Sequence, residues 1–144
     1  VEFGPGTGAF TEELLKRRNA NTKIILIEYN EEFYRILEDK YKEMEKIYII
    51  NDSAENIEYY IKKYDINKVD YIVSGLPFAS LPKEMTEAIL ERTRKVLSHG
   101  GIFITFQYSK LKKSLINAYF QSINIKKEFI NIPPAYVFYC TNEM

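Results

Sequence analysis

Val1-Glu2-Phe3-Gly4-Pro5-Gly6-Thr7-Gly8-Ala9-Phe10 opens the chain with an apolar, strand-like start that runs into glycine at every second position and then into a helical pattern. Glycines at such a turn let the backbone approach a ligand where any Cβ would collide. A strand, a glycine turn and a helix start have the form of the first βα crossing of a nucleotide-type cofactor site. A bare tight turn has the same glycines, so the residues beyond decide between the two.

Downstream, strand and helix patterns alternate. Phe10 to Arg18 carries apolar residues at 10, 14 and 15, with Thr11 as the expected cap and Glu12 and Glu13 in the first turn. Lys23 to Glu28 is a continuous apolar run ending in an acid, the mark of a buried parallel strand. Glu31 to Tyr41 is a second helix, and Ile47 to Ile50 a third strand closing at Asn51-Asp52. Ala54 to Tyr64 is expected to be helical, capped by Asp52 or Ser53, and Val69 to Val73 is a fourth strand ending in Ser74-Gly75-Leu76-Pro77-Phe78. The longest helix, Pro82 to Leu97, is expected to stop at Gly100-Gly101. Ile102 to Tyr108 is a fifth strand and Ser109 to Phe120 a further helix. Two last strands, near 123–130 and 135–140, are parted by Pro133-Pro134 and are expected to pair antiparallel at one edge. Alternation of this kind predicts an α/β layer fold on a largely parallel sheet, and 144 residues fit one domain.

In an open α/β sheet the ligand sits at the carboxyl ends of the strands. This chain places the glycine turn, Glu28, Asp52 and Ser74-Gly75-Leu76-Pro77-Phe78 at four consecutive strand ends. A carboxylate at Glu28 suits a pair of ribose hydroxyls, and one at Asp52 suits an adenine amino group. Either acid alone reads equally well as a helix cap; the four together favour a cofactor site.

Twenty basic and twenty acidic residues cancel, which argues against a surface built to grip nucleic acid. A single cysteine, Cys140, excludes a disulfide framework and a Cys-based metal site, and a reducing, cytoplasmic setting is expected. No apolar run approaches the roughly 20 residues that cross a bilayer. The chain starts with Val1 only three residues before Gly4, so a preceding segment is expected to complete the first strand.

Glu2-Phe3-Gly4-Pro5-Gly6-Thr7-Gly8 resembles motif I of the class I S-adenosylmethionine-dependent methyltransferases, in which a carboxylate stands two positions before the first glycine. The resemblance runs over essentially the whole chain. It implies a Rossmann-like three-layer sandwich with a mostly parallel seven-stranded sheet and an antiparallel last strand. It implies S-adenosyl-L-methionine as cofactor, S-adenosyl-L-homocysteine as product and no metal. By resemblance, Gly4, Pro5, Gly6, Thr7 and Gly8 pass the methionine part and Glu2 organises that turn. Glu28 holds the ribose, Tyr29 packs on the adenine, Asp52 and Ser53 meet its edge, and Ser74 closes the cofactor set.

The acceptor hangs on the fourth strand end. Ser74-Gly75-Leu76-Pro77-Phe78 resembles the Asn-(Ile/Leu)-Pro-(Tyr/Phe) motif of amino methyltransferases such as the ribosomal RNA adenine dimethyltransferases, but Gly75 stands where those have Asn. Followed by Ser80-Leu81-Pro82, this variant is more similar to the bacterial phospholipid N-methyltransferases. Phe106-Gln107-Tyr108-Ser109 and Ile132-Pro133-Pro134-Ala135-Tyr136-Val137 agree with that likeness. It implies methylation of the amine of phosphatidylethanolamine at a membrane surface, peripheral on its inner face, with an amphipathic element in the preceding segment. Ser74, Pro77 and Phe78 are then the expected catalytic residues, and Gly75, Leu76, Phe78, Tyr108 and Tyr136 the expected acceptor contacts. Aromatic faces hold methylated ammonium well, although most of 12 Tyr and nine Phe must be core or ordinary surface.

His99, the one histidine, is placed at a helix C-terminus away from the cofactor, and Cys140 inside the last strand as an inert core thiol. Lys110, Lys112, Lys113, Lys126 and Lys127 form the densest basic region, suited to anionic headgroups. The apolar stripe Leu111, Leu115, Ile116, Tyr119, Phe120 is expected to pack on the sheet. Three alternatives stay open: a nucleic-acid adenine N6-methyltransferase, a small-molecule methyltransferase and a non-catalytic cofactor-binding module. The sequence leaves the oligomeric state open.

Overall fold

A computed structural model describes residues 1–108, 113–128 and 134–142. Seven strands are arranged in the order β3-β2-β1-β4-β5-β7-β6. They are β1 (Glu2–Phe3), β2 (Ile24–Glu28), β3 (Ile47–Asn51), β4 (Val69–Ser74), β5 (Leu97–Gln107), β6 (Ser122–Glu128) and β7 (Ala135–Thr141). β1, β2 and β3 pair in parallel, as do β4 and β5, while β7 is antiparallel to both β5 and β6. The expected α/β, mostly parallel sheet with an antiparallel last strand is therefore what the chain forms. By its internal packing the chain divides into two compact units, Val1–Ala54 and Glu55–Met144.

In the first unit every residue of β2 is buried, as its unbroken apolar run requires. The helix α2 (Glu31–Tyr41) begins at Asn30, whose side chain accepts from the backbone N–H groups of Glu32 at 2.9 Å and Phe33 at 3.1 Å. Such a cap is worth about 1 kcal/mol. Leu37 and Tyr41 lie one turn apart on the face that packs against Ile24 and Leu26 of β2. Leu37 has no exposed surface, and full burial of such a side chain contributes about 2 kcal/mol. The helix α1 (Ala9–Arg17) has Gly8, not Thr11, as its N-cap. Glu12 N–H already donates to Gly8 O at 3.0 Å, so Thr11 is inside the helix, buried, with its hydroxyl donating elsewhere.

The helix expected from Ala54 begins as a 3-10 turn, Ala54–Asn56, at the junction of the two units, before α3 (Ile57–Lys63) of the second. The N-cap of α3 is Asn56, without a side-chain bond, and Asp52 Oδ1 accepts from Ser53 N–H at 2.7 Å. The helix α4 (Lys83–Val96) buries Thr86, Ile89, Leu90, Thr93 and Val96, a single stripe at helical spacing. Gly100-Gly101 does not stop it. The backbone turns extended at Leu97, which pairs with Val69 of β4, and β5 starts there. Burial of Leu97 in the sheet outweighs one more helical residue. The glycines lie inside β5 where the register with β4 shifts between Val69 and Tyr71. Gly100 has φ 79°, and a Cβ on Gly101 would stand 3.0 Å from Val69 O, so both serve the bulge. His99 sits in that irregular stretch of strand, exposed, and not at a helix end.

The helix α5 (Lys113–Asn117) buries Ile116, and Phe120 stacks on Phe103 of β5 at 5.4 Å. The apolar stripe thus packs inward where it is described. Ser109, Lys110, Leu111, Lys112, Ile132 and Pro133 lie outside the described residues. Cys140 is buried in β7, and burial pushes its thiol up to about 12. No helix of the described residues is long and apolar enough to cross a membrane.

Candidate functional site

The expected cofactor residues other than Ser74 lie in the first unit, and Glu28 is bonded to the turn from β1 to α1. Gly4 (φ 62°) donates its N–H to Ile27 O at 2.9 Å, tying the turn to β2. Gly6 (φ 57°) donates to Glu28 Oε2 at 2.9 Å, and Glu28 Oε1 accepts from Asn30 N–H at 2.9 Å. One carboxylate at the end of β2 therefore binds two separate backbone segments, and Glu28 is only 6% exposed. Pro5 O accepts from Gly8 N–H at 3.0 Å. Thr7 O accepts from Lys40 Nζ at 2.8 Å, and Lys40 also stands 3.5 Å from Glu12 Oε1. The far end of α2 is in this way strapped to the turn.

The two inner glycines differ in what surrounds them. A Cβ on Gly6 would meet nothing within 4 Å, whereas one on Gly8 would stand 3.0 Å from the Tyr41 hydroxyl and 3.2 Å from Leu37. Gly6 thus borders open space of the kind a cofactor's methionine part needs, and Gly8 is a packing glycine. Glu2 is buried, with Oε2 accepting from the Thr11 hydroxyl at 2.7 Å and Oε1 without a partner among the described residues. Burial raises its carboxyl above the ordinary value of 4.5, partly offset by the Thr11 bond.

Tyr29 is 78% exposed, its ring free to pack on a flat ligand. Asn51, at the end of β3 and paired with Glu28, donates Nδ2 to Glu28 O at 2.9 Å and Tyr29 O at 3.2 Å. It fixes the backbone carrying both residues. Asp52 and Ser53 follow directly, half-buried. An acid holding the turn, open space beside Gly6 and an exposed ring after β2 fit a nucleoside bearing an amino-acid tail.

The expected acceptor residues lie in the second unit, after β4. Ser74 is fully buried and its Oγ accepts from Leu76 N–H at 3.3 Å. Gly75 and Pro77 are exposed, and Pro77 O accepts from Ser80 N–H at 2.8 Å. Leu76 O accepts from Phe78 N–H and from Gln107 Nε2, both at 3.0 Å. Phe78 has no exposed surface; its ring lies 6.3 Å from that of Phe103, so it anchors the loop in the core. Tyr108, by contrast, is 70% exposed. Tyr136 of β7 is half-buried opposite Gln107, with Lys127 Nζ 5.9 Å from its ring centroid.

Of the three residues that bind these segments together, Lys40 and Asn51 carry no sequence signal beyond their place in or at the end of an element, and Gln107 stands out only within the stretch Phe106-Gln107-Tyr108-Ser109, with no role of its own. Among the described residues no cluster of three or more His, Cys, Asp or Glu is placed to hold a metal ion.

Residues 1–101 match the family model described as a methyltransferase domain. The chain is 26% identical over 142 residues to the ornithine lipid N-methyltransferase of Singulisphaera acidiphila, a match covering 97% of this chain and 73% of that protein. It is 33% identical over 97 residues to the ribosomal RNA small subunit methyltransferase A of Mycoplasma mycoides subsp. mycoides, covering 67% of this chain and 33% of that protein. In fold it is similar to Aeropyrum pernix fibrillarin with natively bound S-adenosyl-L-methionine. The TM-score is 0.73 at 15% identity, over 96% of this chain and 64% of that one.

Proposed function

The chain belongs to the class I S-adenosylmethionine-dependent methyltransferases, and from that premise we propose that it methylates the amine of an amino lipid of the phosphatidylethanolamine type. The observation that carries this reading is the extent of the likeness. The lipid N-methyltransferase matches over 142 residues and so includes the β4 end and β7, whereas the ribosomal RNA enzyme matches over 97. Gly75 in place of an amide side chain and the balanced charge support the same choice. The reading takes residues 1–144 as one methyltransferase domain, working in the cytoplasm on the inner face of a membrane, with no metal given a part.

When bound, S-adenosylmethionine supplies an electrophilic methyl group on a sulfonium. In this reading Glu28 accepts hydrogen bonds from the ribose, Tyr29 packs on the adenine, Asp52 and Ser53 meet its edge, and the turn from Gly4 to Gly8 borders the methionine part, with Glu2 and Ser74 completing the set. The acceptor amine arrives neutral, its proton lost to solvent. In-line transfer would form the nitrogen–carbon bond as the carbon–sulfur bond broke, the electron pair going to sulfur and a proton of the new ammonium passing later to solvent. The chain's task is to orient that amine and exclude water. Backbone groups of Ser74-Gly75-Leu76-Pro77 line the approach, and Phe78 holds the loop in shape. The rings of Tyr108 and Tyr136 attract the methylated ammonium that results; the nearness of Lys127 to Tyr136 is the same preference made within the chain.

The 33% identity to a ribosomal RNA enzyme and the shared Leu76-Pro77-Phe78 favour a second reading, adenine N6-methylation. Radiolabelled S-adenosylmethionine with phosphatidylethanolamine vesicles tests the first. Label in the lipid extract is the expected result, and label absent there while an RNA acceptor is methylated reverses the choice.

A further inference from the structure

Gln107 is buried at the end of β5, only 4% exposed, and both donors of its amide are committed. Nε2 donates to Leu76 O at 3.0 Å and to Thr105 Oγ1 at 2.9 Å. A carbonyl can only accept, so the Leu76 bond settles which end of the amide is nitrogen. Oε1 is the polar atom of the side chain that these bonds leave unused. Among the described residues it takes no hydrogen bond, yet it is not one of the buried side-chain atoms left without a partner. The little of Gln107 that remains exposed therefore includes this oxygen.

The Leu76 carbonyl, for its part, is already full. Its two lone pairs are taken by Gln107 Nε2 and Phe78 N–H. An amine brought to this loop finds that backbone acceptor occupied and a side-chain acceptor beside it. Register keeps the arrangement local: Ser74 pairs with Thr105, and Gln107 pairs with Tyr136. The loop, the amide and the ring thus come from three adjacent strand positions of one unit.

We infer that Gln107 Oε1 is the acceptor that orients the substrate amine, an amide supplied from β5 where the loop itself has Gly75. The inference rests on the amine-methylation reading above. A neutral amine must turn its lone pair toward the methyl group, and a hydrogen bond from one of its N–H groups to Oε1 fixes that rotation. The two bonds of Nε2 hold the amide so that the oxygen is in place before the amine arrives, as positioning demands.

The test compares two acceptors in Gln107→Leu. On a primary amine lipid the variant should lose about 10²-fold in kcat. On its N,N-dimethyl counterpart, which in neutral form has no N–H to donate, the loss should be several-fold smaller. Calorimetric affinity for S-adenosylhomocysteine should change less than about threefold. Equal losses on both acceptors would overturn the inference and leave Gln107 as a brace for the loop.

A second variant adds a readout that a merely structural loss would not move. Gln107→Glu puts a carboxylate beside the amine, which favours the ammonium form and should move the rising limb of kcat upward by about one pH unit or more. A reduced rate with an unmoved midpoint would also overturn it. Should the wild-type protein methylate no amine at all, the broader reading fails and this one with it; loss confined to the variants concerns Gln107 alone.

Discussion

The Gly6 N–H donates to Glu28 Oε2 at 2.9 Å across 22 residues of sequence. The strand-end carboxylate assigned to the ribose is thus also what shapes the glycine turn assigned to the methionine part. With Asn30 N–H on its other oxygen, Glu28 holds the backbone on both sides of the ligand space. Each oxygen keeps a lone pair for a further donor.

Replacing Glu28 with Ala should therefore weaken cofactor binding by the worth of a charge-assisted hydrogen bond, about 1.5–3 kcal/mol. It should also lower stability, because two backbone donors lose their acceptor. Calorimetry with S-adenosylhomocysteine and a thermal melt measure the two effects separately. Unchanged affinity with a lowered melting temperature would make Glu28 purely structural.

Gly6 and Gly8 should respond oppositely to alanine. At Gly6 the cost to folding is the left-handed backbone alone, about 1 kcal/mol, while the methyl group projects into open space and should obstruct the cofactor. At Gly8 the φ of 92° and the contacts with Tyr41 and Leu37 combine, and destabilisation of about 2 kcal/mol or more is expected. Denaturant melts and cofactor titrations on both variants check this. Matching profiles would remove the distinction between cradle and packing glycine.

Glu2 gives a pH dependence whose sign follows from burial. Its carboxyl is raised above 4.5 in the folded chain, so between the two values the native state holds more protons than the unfolded one. Stability then falls as pH climbs from about 4.5 through the raised value, and the full penalty applies above it. Glu2→Gln, which keeps an oxygen for the Thr11 hydroxyl, should melt higher than wild type at pH 7, with the difference shrinking on acidification. Parallel melting curves across that range would contradict this origin.

Cys140 should resist thiol reagents in the folded protein, since burial both shields it and holds it protonated up to about pH 12. Labelling with a maleimide at pH 8, with and without denaturant, should give modification only in the unfolded sample. Rapid labelling of the native chain would show that β7 opens.

Legibility varied with the range of the forces involved. The helix Glu31–Tyr41 and the buried strand ending at Glu28 follow from periodicity and an unbroken apolar run, so local pattern and tertiary packing agree there. The junction at Leu97 does not. Helical continuation and pairing with Val69 compete for the same residue, and the winner depends on a strand 28 positions away. Thr11 looks like a cap because its chemistry suits one, yet the buried Glu2 claims its hydroxyl. The glycines and acids at the strand ends stood out by type and place. Lys40 and Asn51 did not, because each acts by reaching a carbonyl that only the folded chain brings near; Gln107 lay in a stretch that resembles the lipid enzymes, but its bond to Leu76 O was not legible there.

The central claim is that the methyl acceptor is a lipid amine. One competition assay tests it most directly: labelled S-adenosylmethionine, the protein, phosphatidylethanolamine vesicles and small-subunit ribosomal RNA lacking its adenine methylations, together in one reaction. Label should enter the lipid phase as N-methylated headgroup and leave the RNA blank. Label in the RNA with an unlabelled lipid phase would contradict the account.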